Sequence, residues 1–235
     1  MARLKNSRLL SKIAEASGGK VIVASAKPVQ DNWGHYASIM PLAVSSEVVR
    51  RSIDALNVDR TNVFGLCIHH TDTDDIETAR KVLKSKSFST HLIIDTNGDV
   101  TVELPLGERA AACVGFNKWM WQLDVVGRLH IDEPTKLQVQ SLTNIIRLLS
   151  CGRKIANIDS KFAAKCRKLD TKDVQKATEA QFGSVRSKLH IRDGKLDLSK
   201  VPFTVIYHGE VRPTKCCGEH LIKLLPEIME NAKHD

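Results

Sequence analysis

No window of the sequence approaches the roughly 18 consecutive apolar residues that would span a membrane, and no helix-length stretch is apolar all round. The N-terminus, "MARLKNSRLLSKIAEASGG", is basic but lacks the apolar run and small-residue cleavage site of a secretory signal. The expectation is a protein without a signal peptide or transmembrane segment, held in the cytoplasm until something releases it. Six cysteines in 235 residues are too few for a disulfide scaffold, and no CxxC pair occurs. Aromatic residues make up only 5% of the chain. Residues 151–200 contain two of them, Phe162 and Phe182, so a base-stacking nucleic-acid platform is not expected.

What is abundant is positive charge, and it is local. Residues 151–200 carry thirteen Lys/Arg against six Asp/Glu, a net of +7 out of +8 for the whole chain. Such a segment favours an anionic polymer or surface; it also reads as a solvated helical face.

Hydrophobic periodicity divides the chain into alternating strands and helices without a repeat. "SRLLSKIAEA" reads as a short amphipathic helix with Leu9, Leu10 and Ile13 on one side, residues 20–25 as a strand and residues 45–56 as a helix. The run "NVFGLCIHH", residues 62–70, is a buried strand ending on two histidines. Asp74 followed by Glu77 resembles a capping box opening a helix to about Leu83. "THLIIDTNGDVTVELP" is a hairpin turning at Asn97-Gly98, and residues 120–126 form a further strand. "EPTKLQVQSLTNIIRLLS" is a helix whose apolar residues are Leu137, Leu142, Ile145, Ile146 and Leu149. A helix, a loop and a polar hairpin-like piece follow over residues 152–200. A strand, "PFTVIYH", and a final helix, "GEHLIKLLPEIMENA", complete the chain. The pattern predicts an α/β fold, a central mixed β-sheet flanked by helices. Residues 1–60 are read as an N-terminal extension packed on the core, and residues 61–235 as the main domain, with a basic helical insertion at about 152–200.

Side chains alternate along a strand. His69 therefore ends the row of Val63, Gly65 and Cys67, and His70 joins Phe64, Leu66 and Ile68. His208 continues the row of Thr204 and Ile206, and Cys216 follows after a Pro-Thr-Lys turn. Histidines at strand ends suit a shared cleft, because α/β sheets place their sites beyond strand termini. Two imidazoles and a thiolate make a tetrahedral zinc set with a fourth position for water. From spacing alone, a packing role for each of these residues stays open.

Four segments in order, "CIHHTDT", "FSTHLIIDTNGDV", "MWQLDVVG" and "HGEVRPTKCCGEHL", resemble the zinc-dependent N-acetylmuramoyl-L-alanine amidase family. That family includes phage lysis amidases, bacterial muropeptide amidases and animal peptidoglycan-recognition proteins. The likeness covers residues 62–126 and 203–225. It implies Zn2+ held by His69, His208 and Cys216, peptidoglycan as the partner, and hydrolysis of the bond joining N-acetylmuramic acid to L-alanine. It implies no nucleic-acid partner, and a monomer is expected. The second histidine, His70, receives a packing or supporting role.

Departures from the pattern shape the rest of the expected site. Thr90 stands where some members have a tyrosine that assists the attacking water, and a threonine cannot inherit that proton chemistry. Asp124 aligns with a strand glutamate of other members and is the expected proton carrier. Thr214, with Lys215, would steady the oxyanion. His91, Thr90 and Trp119 are expected along the substrate groove, with cross-strand packing the alternative for His91 and a core position for Trp119. Cys113-Val114-Gly115 stands where a His-Ala-Gly loop is usual, and Cys217 replaces a proline. Both cysteines of the Cys216-Cys217 pair are expected as thiols, since a vicinal disulfide would remove a ligand. The thiolate ligand and the "PTKC" turn favour a phage-type endolysin; the alternatives are a non-catalytic peptidoglycan-binding module and a cytoplasmic muropeptide-recycling amidase.

Overall fold

The computed structural model describes residues 38–39, 63–104, 106–150, 152–188, 191–192, 195–196 and 200–233. The elements expected over residues 7–16, 20–25 and 45–56 lie outside the described residues. The strands are β1 (Ser38–Ile39), β2 (Gly65–His70), β3 (Leu92–Ile94), β4 (Val100–Val102), β5 (Met120–Val125), β6 (Ile155–Asn157), β7 (Ile191–Arg192), β8 (Lys195–Leu196) and β9 (Phe203–Tyr207). The helices are α1 (Ile76–Ser85), α2 (Lys136–Ser150), α3 (Ser160–Lys168), α4 (Thr171–Lys188), α5 (His208–Val211) and α6 (Glu219–Asn231).

Seven strands form a mixed sheet in the order β1-β4-β3-β5-β2-β9-β6. The centre is parallel: β5, β2 and β9 run side by side, with His69 opposite Asp124 and Cys67 opposite both Gln122 and Ile206. The β3–β4 hairpin and β1 supply the antiparallel edge. The hairpin turns at Gly98, whose φ of 84° lies where a side chain would be strained. The expected polar hairpin is β7–β8, a separate two-stranded sheet.

Because β2 is covered on both faces, its sequence reads as a continuous apolar run rather than an alternation. One core joins Leu66, Ile68, Leu123 and Val125 to Leu142, Ile146 and Leu149 of α2 and to Leu221, Leu225 and Ile228 of α6. The other joins Phe64, Cys67, Phe116 and Trp119 to Ala163 and Cys166 of α3 and to Val174 and Phe182 of α4. Successive residues of β2 feed opposite layers, as strand geometry requires.

Three local expectations are corrected. The N-cap of α1 is Asp75, whose Oδ1 accepts from Thr78 N–H at 2.8 Å, while Asp74 pairs with Arg128 at 2.8 Å. Leu137 is 53% exposed, and Gln138 takes the inward position on α2. At about 100° per residue, Gln138 lies some 40° from Leu142 and Leu137 some 140°. The amide of Gln138 is satisfied there: Nε2 donates to Val126 O and Oε1 accepts from Thr135 N–H. β9 ends at Tyr207, so His208 begins the one-turn α5 instead of extending the strand row. The basic stretch at 152–200 is woven into the core: β6 pairs with β9, and α3 and α4 close the second apolar cluster. Its charges, including Lys161, Lys165, Lys168, Lys172 and Lys176, are on the exposed face of that layer.

Candidate metal centre

Strands β2 and β9 run parallel, so His69, next to the last residue of β2, and His208, just past β9, stand at the same carboxyl end of the sheet. The turn after α5 brings Cys216 back beneath them. His70 N–H donates to Cys216 Sγ at 3.3 Å, and Gly209 N–H donates to Cys216 O at 2.5 Å. Gly209 has no room for a side chain, since a Cβ there would lie 2.4 Å from Cys216 O and 2.7 Å from Thr214 O. The helix that starts at His208 and the turn that ends at Cys216 are therefore pressed together, backbone to backbone.

One ligand atom from each of His69, His208 and Cys216 lies within 4.8 Å of the other two. Cys216 Sγ is 3.7 Å from His69 Nδ1, and the two imidazole rings are 4.8 Å apart. Gln122, a residue the sequence reading passed over, orients His69. Its amide nitrogen donates to Met120 O at 3.1 Å, which leaves Oε1 to accept from His69 Nε2–H at 2.9 Å. That bond keeps the proton on Nε2 and turns the Nδ1 lone pair toward Cys216, the role a supporting acceptor plays behind a metal-ligating histidine. Gln122 could have been noticed as an amide on the same face of the strand as Asp124, two residues away.

The electrostatics match a cation site. Burial, with help from His69 and Arg212, pushes His208 down to about 3, so it is a neutral imidazole at physiological pH. Burial also drives the Cys216 thiol far above its ordinary range, against the His70 N–H that favours the thiolate. A thiol so placed is a poor free nucleophile and ionises readily only beside a cation. The donor set, two imidazoles and a thiol in one pocket, fits zinc. Asp124 is buried in the same cleft, and its Oδ2 has no hydrogen-bond partner among the described residues. Burial raises its affinity for a proton, opposed by the neighbouring His69.

The cleft has a volume of about 390 Å³, and Asp124, Thr214 and Lys215 line it together with the three ligands. Thr214 and Lys215 are exposed, and Thr214 Oγ1 accepts from Cys216 N–H at 3.3 Å. His70 lines the same cleft as His69, contrary to the strict face argument, because both stand at the strand's open end.

Thr90, His91 and Trp119 are interior residues, not groove residues. Thr90 Oγ1 donates to Gln122 O at 2.9 Å. His91 is spent at both ring nitrogens, Nδ1 accepting from Gln122 N–H and Nε2 donating to Glu108 O. Trp119 stacks on Phe64 with centroids 5.7 Å apart. Cys113 is buried with Cys67 in the same layer. Cys217 is a buried free thiol pushed up to about 12 by burial, and the Cys216–Cys217 peptide is cis.

No helix among the described residues is long and apolar enough to cross a membrane. The N-acetylmuramoyl-L-alanine amidase LysC from Clostridium intestinale URNW shares 15% identity at a TM-score of 0.47, over 75% of this chain and 89% of that one. The endolysin N-acetylmuramoyl-L-alanine amidase LysCS from the same organism shares 15% identity at 0.45, over 72% and 85%. No protein of curated function matches the sequence significantly. Residues 59–174 match the family described as N-acetylmuramoyl-L-alanine amidase, a span that includes His69, Gln122 and Asp124 and stops short of His208 and Cys216. The likeness to that family thus spans 116 of the 235 residues.

Proposed function

We propose that the chain is a zinc-dependent amidase of the endolysin kind, hydrolysing the amide between N-acetylmuramic acid and the L-alanine of the peptidoglycan stem. The observation that carries this reading is the convergence of His69 with His208 and Cys216, more than 130 positions later in the sequence, within 4.8 Å in one cleft. These three would hold the ion, which when bound polarises the scissile carbonyl and acidifies water. Asp124 would take a proton from the attacking water and hand it to the leaving amine; burial raises its affinity for a proton, and its Oδ2 has no hydrogen-bond partner among the described residues. Thr214 accepts from Cys216 N–H, which leaves its own hydroxyl proton for the developing oxyanion, and Lys215 adds a positive charge at the rim. With His91 and Trp119 buried, substrate contacts fall to the exposed cleft residues, among them Phe88 and Lys86.

The thiolate ligand and the Pro-Thr-Lys-Cys turn support an endolysin over a recycling enzyme, whose third ligand is typically an aspartate. On this reading the protein is monomeric and waits in the cytoplasm until it reaches the wall. The exposed lysines of α3 and α4 would add electrostatic adhesion to an anionic envelope. Because that layer is core, deletion would unfold the chain; reversing Lys161, Lys165 and Lys172 to glutamate is the sound test. Wall binding and its salt dependence should both fall, and unchanged binding would refute the adhesion role.

The deciding experiment measures tightly held zinc in the purified protein and digests peptidoglycan, with mass spectrometry of the products. Stem peptides with a free N-terminal alanine are expected, and Cys216→Ser should lose both metal and products. Zinc-loaded protein that yields no such stems would overturn the enzyme reading and leave a wall-binding module.

A further inference from the structure

A second group of ligating side chains lies on the same cleft, and neither the three zinc ligands nor Asp124 draws on it. His70 ends β2, Asp72 follows in the next loop, and His130 comes from the turn after β5. One ligand atom of each lies within 4.8 Å of the other two, and all three residues line the cleft. His130 Nδ1 is 3.4 Å from Asp72 Oδ1, and the His70 and His130 rings meet edge to face with centroids 5.6 Å apart. His70 Nδ1 is buried and has no hydrogen-bond partner among the described residues. Leaving a buried imidazole nitrogen unpaired is costly, so such an atom calls for an explanation.

The group is preorganised by backbone. Past the end of the paired strands, Thr71 N–H donates to Val125 O at 3.1 Å and Asp72 N–H to Gly127 O at 3.2 Å. Gly127 N–H returns a bond to Thr71 Oγ1 at 3.2 Å. Arg128 reaches back to Asp74 at 2.8 Å, and His220 N–H holds Leu129 O at 3.1 Å, anchoring the His130 turn to the start of α6. Both loops that carry the ligands are thus tied to each other and to the core before any ion arrives.

We propose that His70, Asp72 and His130 form a second divalent-metal site, for an ion of the zinc class, beside the Cys216 centre. Two imidazoles and one carboxylate select zinc, cobalt or nickel over magnesium and calcium, which prefer oxygen ligands throughout. Without sulfur, and with Asp72 and His130 partly exposed, it is the weaker of the two sites. The inference does not depend on amidase activity.

The test is a cobalt(II) titration of the metal-free 235-residue chain, read by absorption and by native mass spectrometry. The first equivalent should carry thiolate-to-cobalt charge transfer from Cys216. A second, weaker equivalent should add ligand-field bands with no further thiolate signal. His130→Ala and Asp72→Asn should each weaken that second equivalent by about tenfold or more, leaving the thiolate signal and the melting curve intact. Asparagine is chosen at 72 because the residue has φ 56°, a conformation asparagine tolerates. Cys216→Ser should abolish the thiolate band and keep the second equivalent, so failure of the first site is distinguishable from failure of this one. A single equivalent in the parent protein, or a second one that survives in both variants unchanged, would overturn the proposal.

Discussion

Replacing Gln122 with leucine removes one acceptor from the candidate metal centre while keeping nearly the same shape. In the folded chain Gln122 Oε1 lies 2.9 Å from His69 Nε2, the bond that engages that nitrogen among the described residues. After the substitution the buried N–H is unsatisfied, at a cost of about 1–3 kcal/mol. The imidazole can relieve that cost by moving its proton to Nδ1, the nitrogen 3.7 Å from Cys216 Sγ. It then presents a proton where a lone pair is needed. Loss of such a supporting acceptor weakens metal binding by about 10- to 100-fold, which is about 1.4–2.7 kcal/mol. Competition against a chromophoric zinc chelator measures the change directly. Nitrogen-15 chemical shifts of His69 report the tautomer, expected as Nε2–H in the parent protein. Gln122→Glu keeps an acceptor at the same place and should bind zinc more tightly than the leucine variant. If Gln122→Leu binds zinc within about twofold of the parent, Gln122 does not set the tautomer and the reasoning fails.

Asp124→Asn should retain zinc while turnover falls by about 10²- to 10⁴-fold, the usual contribution of a positioned acid–base group; a fully active variant would remove Asp124 from proton transfer. Gly209→Ala forces a methyl to within 2.4 Å of Cys216 O, so the turn must shift, and zinc affinity should drop by about tenfold or more. Unaltered affinity would show that the contact does not position Cys216. Phe182 is packed against Phe64 and Trp119 at 5.5 and 5.6 Å, so Phe182→Ala should cost about 3–5 kcal/mol. In a chain of this size that lowers the melting temperature by about 6–20 °C. A shift smaller than about 2 °C would mean that α4 is not part of the core.

Much of the fold was legible because its determinants are local. Gly98 marks the hairpin turn, and the apolar run into His69-His70 marks a doubly covered strand. What failed locally failed for lack of partners in view. Leu137 looked inward by hydropathy, but Gln138 could be buried because Val126 and Thr135 meet its amide. His91 looked like a groove residue until both ring nitrogens proved to be engaged by backbone. The basic stretch read as an insertion because its charge is so one-sided, thirteen Lys/Arg against six Asp/Glu. Yet Val174 and Phe182 are enough to seal the layer over Phe64 and Trp119.

The sequence by itself offered the candidate ligands, through four ordered segments that resemble the amidase family, and the α/β alternation, which depends on residue type and short spacing. Only the tertiary structure decided that atoms 147 positions apart, on His69 and Cys216, come within 3.7 Å. It alone supplied Gln122 behind His69 and set His130 beside His70 and Asp72. Those meetings follow from parallel strand register and from backbone bonds between loops, which no local pattern encodes.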